Sequence, residues 1–137
     1  MKSKKGISPI LATLLLIVIA VAAITVTYAW IMTYMGNATD NAGVILYEGN
    51  VSFNNSTGTE QIIVDVGNSG TSSTKIVQLY VGNSTSTMIR TIDSSYTLNV
   101  DKIVSITVDY EWVSKDTYYF RVVPASGQAL EFNAKAP

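Results

Sequence analysis

The side chains able to do acid–base chemistry in this sequence are carboxylates. It holds ten Asp and Glu residues, but no histidine and no cysteine. That removes the commonest general base, the commonest metal ligand and the thiol nucleophile. Asp109 and Glu111 stand two apart where apolar and polar residues alternate, so a strand places both on one face, about 7 Å apart. Glycosidases use a carboxylate pair of this kind. Here no aromatic-lined cleft accompanies it, and the pair reads as a solvated strand face. Asp65, Asp93 and Asp101 lack the spacing of a calcium loop. There is no phosphate-cradling glycine loop and no nucleophile elbow. The expectation is a chain without catalytic residues, cofactor or metal. A tethered hydrolase, the enzymatic alternative, lacks the usual bases and nucleophiles.

A different chemistry, covalent modification, has more candidates. The acceptor pattern Asn-x-Ser/Thr occurs at Asn37, Asn50, Asn54, Asn55 and Asn83. Asn, Ser and Thr are abundant here, so chance alone supplies some of these. Asn54 and Asn55 are adjacent and are not expected to be modified together.

Charged residues make up only 14 % of the 137, and the net charge is −1. Three of the nine basic residues, Lys2, Lys4 and Lys5, sit at the N-terminus. Without them six bases face ten acids, which argues against a nucleic-acid-binding surface.

The element that organises the chain is Gly6–Met35, which holds no charge and is almost wholly apolar. Its threonines, Thr13, Thr25, Thr27 and Thr33, scatter around a helix at about 100° per residue instead of sharing a face. A helix apolar on all sides needs apolar surroundings on all sides, which lipid or a bundle of like helices supplies. As an α-helix, Ile7–Met35 spans about 43 Å, more than a ~30 Å hydrocarbon core requires. Tyr28, Trp30 and Tyr34 gather at its distal end, as an interfacial belt would. The lysines precede the span and the next base is Lys75, which predicts a cytoplasmic N-terminus and an external C-terminal part. The run is too long and too continuous for a secretory signal peptide, even with Ala20-Val21-Ala22 as a small-x-small site. A permanent single-pass anchor is the simple alternative.

The step Lys4-Lys5-Gly6-Ile7 resembles the class III signal peptides of the type IV pilin superfamily. The following Ile7-Ser8-Pro9-Ile10, leading into a long Ala/Leu/Ile/Val run, is most similar to archaeal pilins. The resemblance covers the first 35 residues or so. It implies cleavage between Gly6 and Ile7 by a membrane prepilin peptidase, with Lys4 and Lys5 as the basic part of the leader. It also implies a pilus assembly ATPase with its membrane platform, and a helix that waits in the membrane before joining a filament core. Bacterial pilins carry a glutamate at the fifth mature position; Leu11 stands there, which favours the archaeal branch. Archaellins resemble a different, Gly-rich pattern after the cleavage point, so adhesion or cell–cell contact is expected rather than swimming. Cleavage has a physical rationale: three lysines could not enter a dry helical bundle cheaply. Pro9 then falls in the first helical turn, where no intrahelical N–H bond is lost. The residues expected to pack subunit against subunit are Ile10, Leu11, Leu14, Leu15, Ile17, Val18, Val21, Ile24 and Trp30.

After residues 7–36 as helix, Asn37–Gly43 reads as a hinge with small and polar residues, the alternative being a helix that continues a few residues past Gly36. Residues 44–137 then switch to period two. Expected strands are Val44–Phe53, Glu60–Val66, Lys75–Val81, Thr87–Ile92, Tyr96–Val100, Lys102–Val113, Thr117–Val123 and Ala129–Asn133. Asn54–Gly58 and Gly67–Gly70 are turns, and Ser114-Lys115-Asp116 is expected to fold the sixth and seventh strands into a hairpin. Val64–Gly70 also resembles the Asn-x-Gly turn of archaeal pilin globular domains. Short strands with regular turns indicate an immunoglobulin-like antiparallel β-sandwich, giving an α+β chain. The expected function is a structural subunit of an extracellular filament, inserted in the cytoplasmic membrane before assembly with identical subunits. The alternative is a membrane-anchored β-sandwich binding module, or a minor pilin that does not homopolymerise.

Overall fold

The computed structural model describes residues 7–55 and 58–137. The chain divides into two compact units, Met1–Ala38 and Thr39–Pro137. The first is built on helix α1, Ile7–Ala42. The helix runs through Gly36 and through most of the stretch expected to be a hinge. One glycine costs a helix only about 1 kcal/mol relative to alanine, and Ala38 and Ala42 favour continuation. The helix stops at Gly43, whose N–H donates to the Thr39 carbonyl at 2.9 Å.

Among its described residues the second unit contains eight strands: β1 Leu46–Asn54, β2 Gln61–Asn68, β3 Thr74–Gly82, β4 Ile89–Arg90, β5 Tyr96–Leu98, β6 Ile103–Asp109, β7 Thr117–Pro124 and β8 Leu130–Lys135. All pairings are antiparallel. Sheet A has the order β1-β2-β6, and sheet B has β4-β3-β7-β8 with β5 also on β3. Strands one, two and six in one sheet and three, seven and eight in the other reproduce the A-B-E and C-F-G arrangement of an immunoglobulin-like sandwich.

Alternation decides which residues close the core. Ile62, Val64 and Val66 of β2 and Ile106 and Val108 of β6 point inward from sheet A. Ile76, Leu79 and Val81 of β3 and Phe120 and Val122 of β7 meet them from sheet B. Each such side chain contributes about 1.5–3 kcal/mol when fully buried.

The expected hairpin at Ser114–Asp116 is not formed. β6 belongs to sheet A and β7 to sheet B, so this segment is a corner between sheets. Strand β6 ends at Asp109, short of the expected Val113. Beyond it, Tyr110 and Trp112 leave the ladder and pack with Phe53 and Tyr118: Phe53 lies 5.4 Å from Trp112 and Tyr110 lies 5.8 Å from Tyr118, both edge to face. The corner is pinned by Tyr118, which is buried and whose hydroxyl accepts the Val113 N–H at 2.8 Å. A tyrosine hydroxyl bonded to backbone a few residues upstream is the corner device of immunoglobulin-like folds. Lys115 adopts a left-handed φ of 71° there.

Candidate functional site

The helix presents its side chains, and among the described ones it buries none. Ser8–Thr39 is long and apolar enough to cross a membrane, with a mean hydropathy of 2.8. Ile10, Leu11, Leu14, Leu15, Ile17, Val18, Val21, Ile24 and Trp30, the expected packing residues, are all exposed within the chain. At about 100° per residue all but Trp30 fall on one half of the helix, and Leu16, Ile19, Val26 and Tyr34, exposed as well, make the other half apolar too. Trp30 stacks on Tyr34 at 5.8 Å. The four threonine hydroxyls are turned inward along the helix. Thr13 donates to the Ile10 carbonyl at 2.8 Å, Thr25 to Ala22 at 2.9 Å, Thr27 to Ala23 at 2.8 Å and Thr33 to Ala29 at 3.0 Å. No hydroxyl among them needs a partner from outside, so these four threonines can enter apolar surroundings at little polar cost. The leader residues Lys4, Lys5 and Gly6, with the expected scissile bond, lie outside the described residues.

Where the chain leaves the helix, Asn68 holds it. This side chain is fully buried. Its Oδ1 accepts the Gly70 N–H at 2.9 Å and the Ile45 N–H at 3.4 Å, and its Nδ2 donates to the Ser72 carbonyl at 2.8 Å. The Gly43 carbonyl accepts from Thr71 and Ser72 at 2.7 and 3.0 Å. A Cβ on Gly70 would stand 2.0 Å from that carbonyl oxygen, so only glycine fits. The Asn-x-Gly spacing announced the turn; the clamp on residues 43–45 depends on distant pairing that spacing does not encode.

The carboxylates stay at the surface. Asp109 and Glu111 are both exposed. Asp109 accepts from Gln61 Nε2 at 2.7 Å, and nearby Glu60 accepts the Trp112 N–H at 2.8 Å, so both tie strand ends together. Glu60, Asp109, Tyr110 and Glu111 border one open depression. Burial first, and then the neighbouring Tyr118, raises the Tyr110 hydroxyl above the ordinary 10.0. Among the described residues no three His, Cys, Asp or Glu side chains converge as a metal site requires.

The sequon asparagines Asn37, Asn50, Asn55 and Asn83 are exposed and Asn54 is half-buried. Asn50 donates to the Ser52 hydroxyl of its own sequon at 2.9 Å, while Asn83 Oδ1 accepts from Thr87 at 3.1 Å. Ser56 and Thr57, which complete the patterns of Asn54 and Asn55, lie outside the described residues.

No family model matches the chain, and no curated protein sequence matches it. Among solved structures it is similar to the archaeal flagellum of Methanospirillum hungatei strain JF1, with a TM-score of 0.57 over 98 % of this chain and 94 % of that one. The chain has the fold of an archaeal filament subunit. Sequence identity is only 9 %, so the likeness lies in fold: one long apolar N-terminal helix followed by antiparallel sheets.

Proposed function

We propose that this chain is the structural subunit, a pilin, of an extracellular archaeal type IV pilus-like filament used in adhesion or cell–cell contact. The observation that carries this reading is the helix. It is uncharged from Ile7 to Thr39, bonds the hydroxyls of Thr13, Thr25, Thr27 and Thr33 within itself and exposes every described side chain from Ser8 to Thr39, while Thr39–Pro137 holds a core of its own. A soluble monomer has no use for such a surface. In the proposed assembly the helices of identical subunits pack into the filament core, and the sandwiches form its outside. The subunit waits in the cytoplasmic membrane first. Because lipid is as apolar as the packed core, the net gain comes from helix–helix packing rather than escape from water. Cleavage at Gly6–Ile7 by a prepilin peptidase, and extraction by an assembly ATPase with its platform, complete the proposal.

The fold neighbour is a flagellum. The pilus is preferred here because Ile7-Ser8-Pro9-Ile10 resembles pilins and lacks the Gly-rich start of archaellins. Sugars on Asn37, Asn50, Asn54 or Asn55, and Asn83 belong to the same proposal. A membrane-anchored β-sandwich module, or a minor pilin, is the second reading, favoured by a helix of membrane-crossing length. The deciding experiment is the N-terminal residue and intact mass of protein sheared from cells. An Ile7 start in sedimentable material, with excess mass counting the glycans, supports the filament. A Met1 start confined to the membrane fraction sinks it and leaves the anchored module.

A further inference from the structure

The two outward faces of the sandwich carry opposite charge. On sheet A, Ile63 and Asp65 of β2 pair with Thr107 and Ser105 of β6, and Gln61 pairs with Asp109. Among the described residues this face holds Asp65 and Asp109 and no base. Asp65 forms no ion pair there, and its Oδ1 is shut in without a hydrogen-bond donor. Among the described residues, then, nothing pairs with this carboxylate's charge. Sheet B is the reverse. Lys75, Arg90, Arg121 and Lys135 face outward against a single acid, Glu131, which pairs with Arg121 at 2.5 Å. These are four of the six bases beyond the leader. Each face also offers apolar surface for close contact: Ile103, 58 % exposed, on sheet A, and the half-buried Tyr80 and Tyr119 on sheet B.

We infer that the outward face of sheet A docks on the outward face of sheet B of a neighbouring copy of this chain. A second copy is the occupant that the charges select, because every chain carries both complementary faces. Two copies meeting through like faces would oppose acid to acid or base to base. Contact between unlike faces is head-to-tail, so each subunit added leaves a free face of each kind, and the contact propagates as a helical polymer does. It also offsets the general repulsion between bodies that each hold ten acids and six bases. The inference rests on the filament reading and adds the surface by which the outer domains meet.

The absence of native cysteine makes the test direct. Filaments of the full chain carrying Ser105→Cys on sheet A and Asn133→Cys on sheet B are treated with a short bis-maleimide. The expected result is a ladder of dimers, trimers and higher species on denaturing gels, with neither single variant giving dimers. Dimers from Ser105→Cys alone, or no ladder from filaments that sediment normally, overturn the inference. Thr107→Cys with Thr117→Cys is a second pair on the same two faces, should the first disturb assembly. Adding Asp65→Lys and Asp109→Lys should reduce the ladder several-fold, and an undiminished ladder overturns its electrostatic basis. Failure of the unaltered chain to yield any sedimentable polymer is scored before cross-linking; it overturns the filament reading, and this inference with it.

Discussion

Leu15 and Val64 are both aliphatic residues in regular structure, yet Leu15 keeps 62 % of its surface exposed and Val64 keeps none. Strand β2 finds its apolar partners elsewhere in the same chain. Helix α1 finds none for Leu15, and its lack of a polar face means that no single contact surface would suffice. Burial in the sandwich is thus a property of one molecule, whereas burial of the helix has to be supplied by lipid or by other molecules. Mutations should separate accordingly: those in the sandwich change its folding free energy, and those in the helix change where the chain resides.

The strongest break in this contrast comes from a charge in mid-helix. Ile17→Asp places a group that costs about 2.5–3.5 kcal/mol in a bilayer centre, and a dry bundle is no kinder. Filaments recovered by shearing should vanish, while the urea midpoint of the sandwich stays where it was. The mirror experiment is Phe120→Ala, which empties the middle of the β core at a cost of about 3–5 kcal/mol. Its urea midpoint should fall steeply in detergent-solubilised chain, with membrane partition of the helix unaltered. Smaller, and informative about where the two kinds of burial join, is Asn68→Ala. It leaves the Gly70 N–H and Ser72 carbonyl without their partner and should cost about 1–3 kcal/mol. Hydrogen exchange should report the loss at residues 43–45 and 68–72 before the strands open. Tyr118→Phe removes only the bond to the Val113 N–H and should lower stability by about 0.5–1.5 kcal/mol in equilibrium unfolding. An effect no larger than that of substituting an exposed tyrosine such as Tyr47 would show that the corner is held by ring packing alone.

What could be read from the sequence also divides along this line. The helix announces itself because its signal is local: no charge, continuous apolarity and scattered threonines. Its end was harder to place, since Gly36 and the polar residues after it suggest a break that intrinsic preferences are too weak to impose. All eight strands lie where alternation put them, within a few residues. Their pairing is a different matter. Ser114-Lys115-Asp116 has the composition of a hairpin turn, and alternation on either side is equally good for a corner. Only the competition between sheets, settled by Tyr118 and the aromatic cluster around it, sends β7 away from β6. The same limitation hides the role of Asn68. Its local turn is visible as Asn-x-Gly, but Ile45 lies 23 residues upstream, and nothing near Asn68 reports it. The opposite charges of the two sandwich faces likewise emerge only once strand order is known, because Asp65 and Asp109, like Arg121 and Lys135, owe their shared faces to register.

The threonine hydroxyls of the helix have a further consequence. Each is already satisfied by a carbonyl one turn back, so the helix carries the same internal hydrogen bonds in lipid, among other helices or in passage between them. None of these four bonds must be broken or remade in transit. If the chain polymerises as proposed, growth needs mechanical extraction but no chemical change in the helix, and the path is open in both directions. Subunits withdrawn from a dismantled fibre would re-enter the bilayer unaltered, ready to be used again.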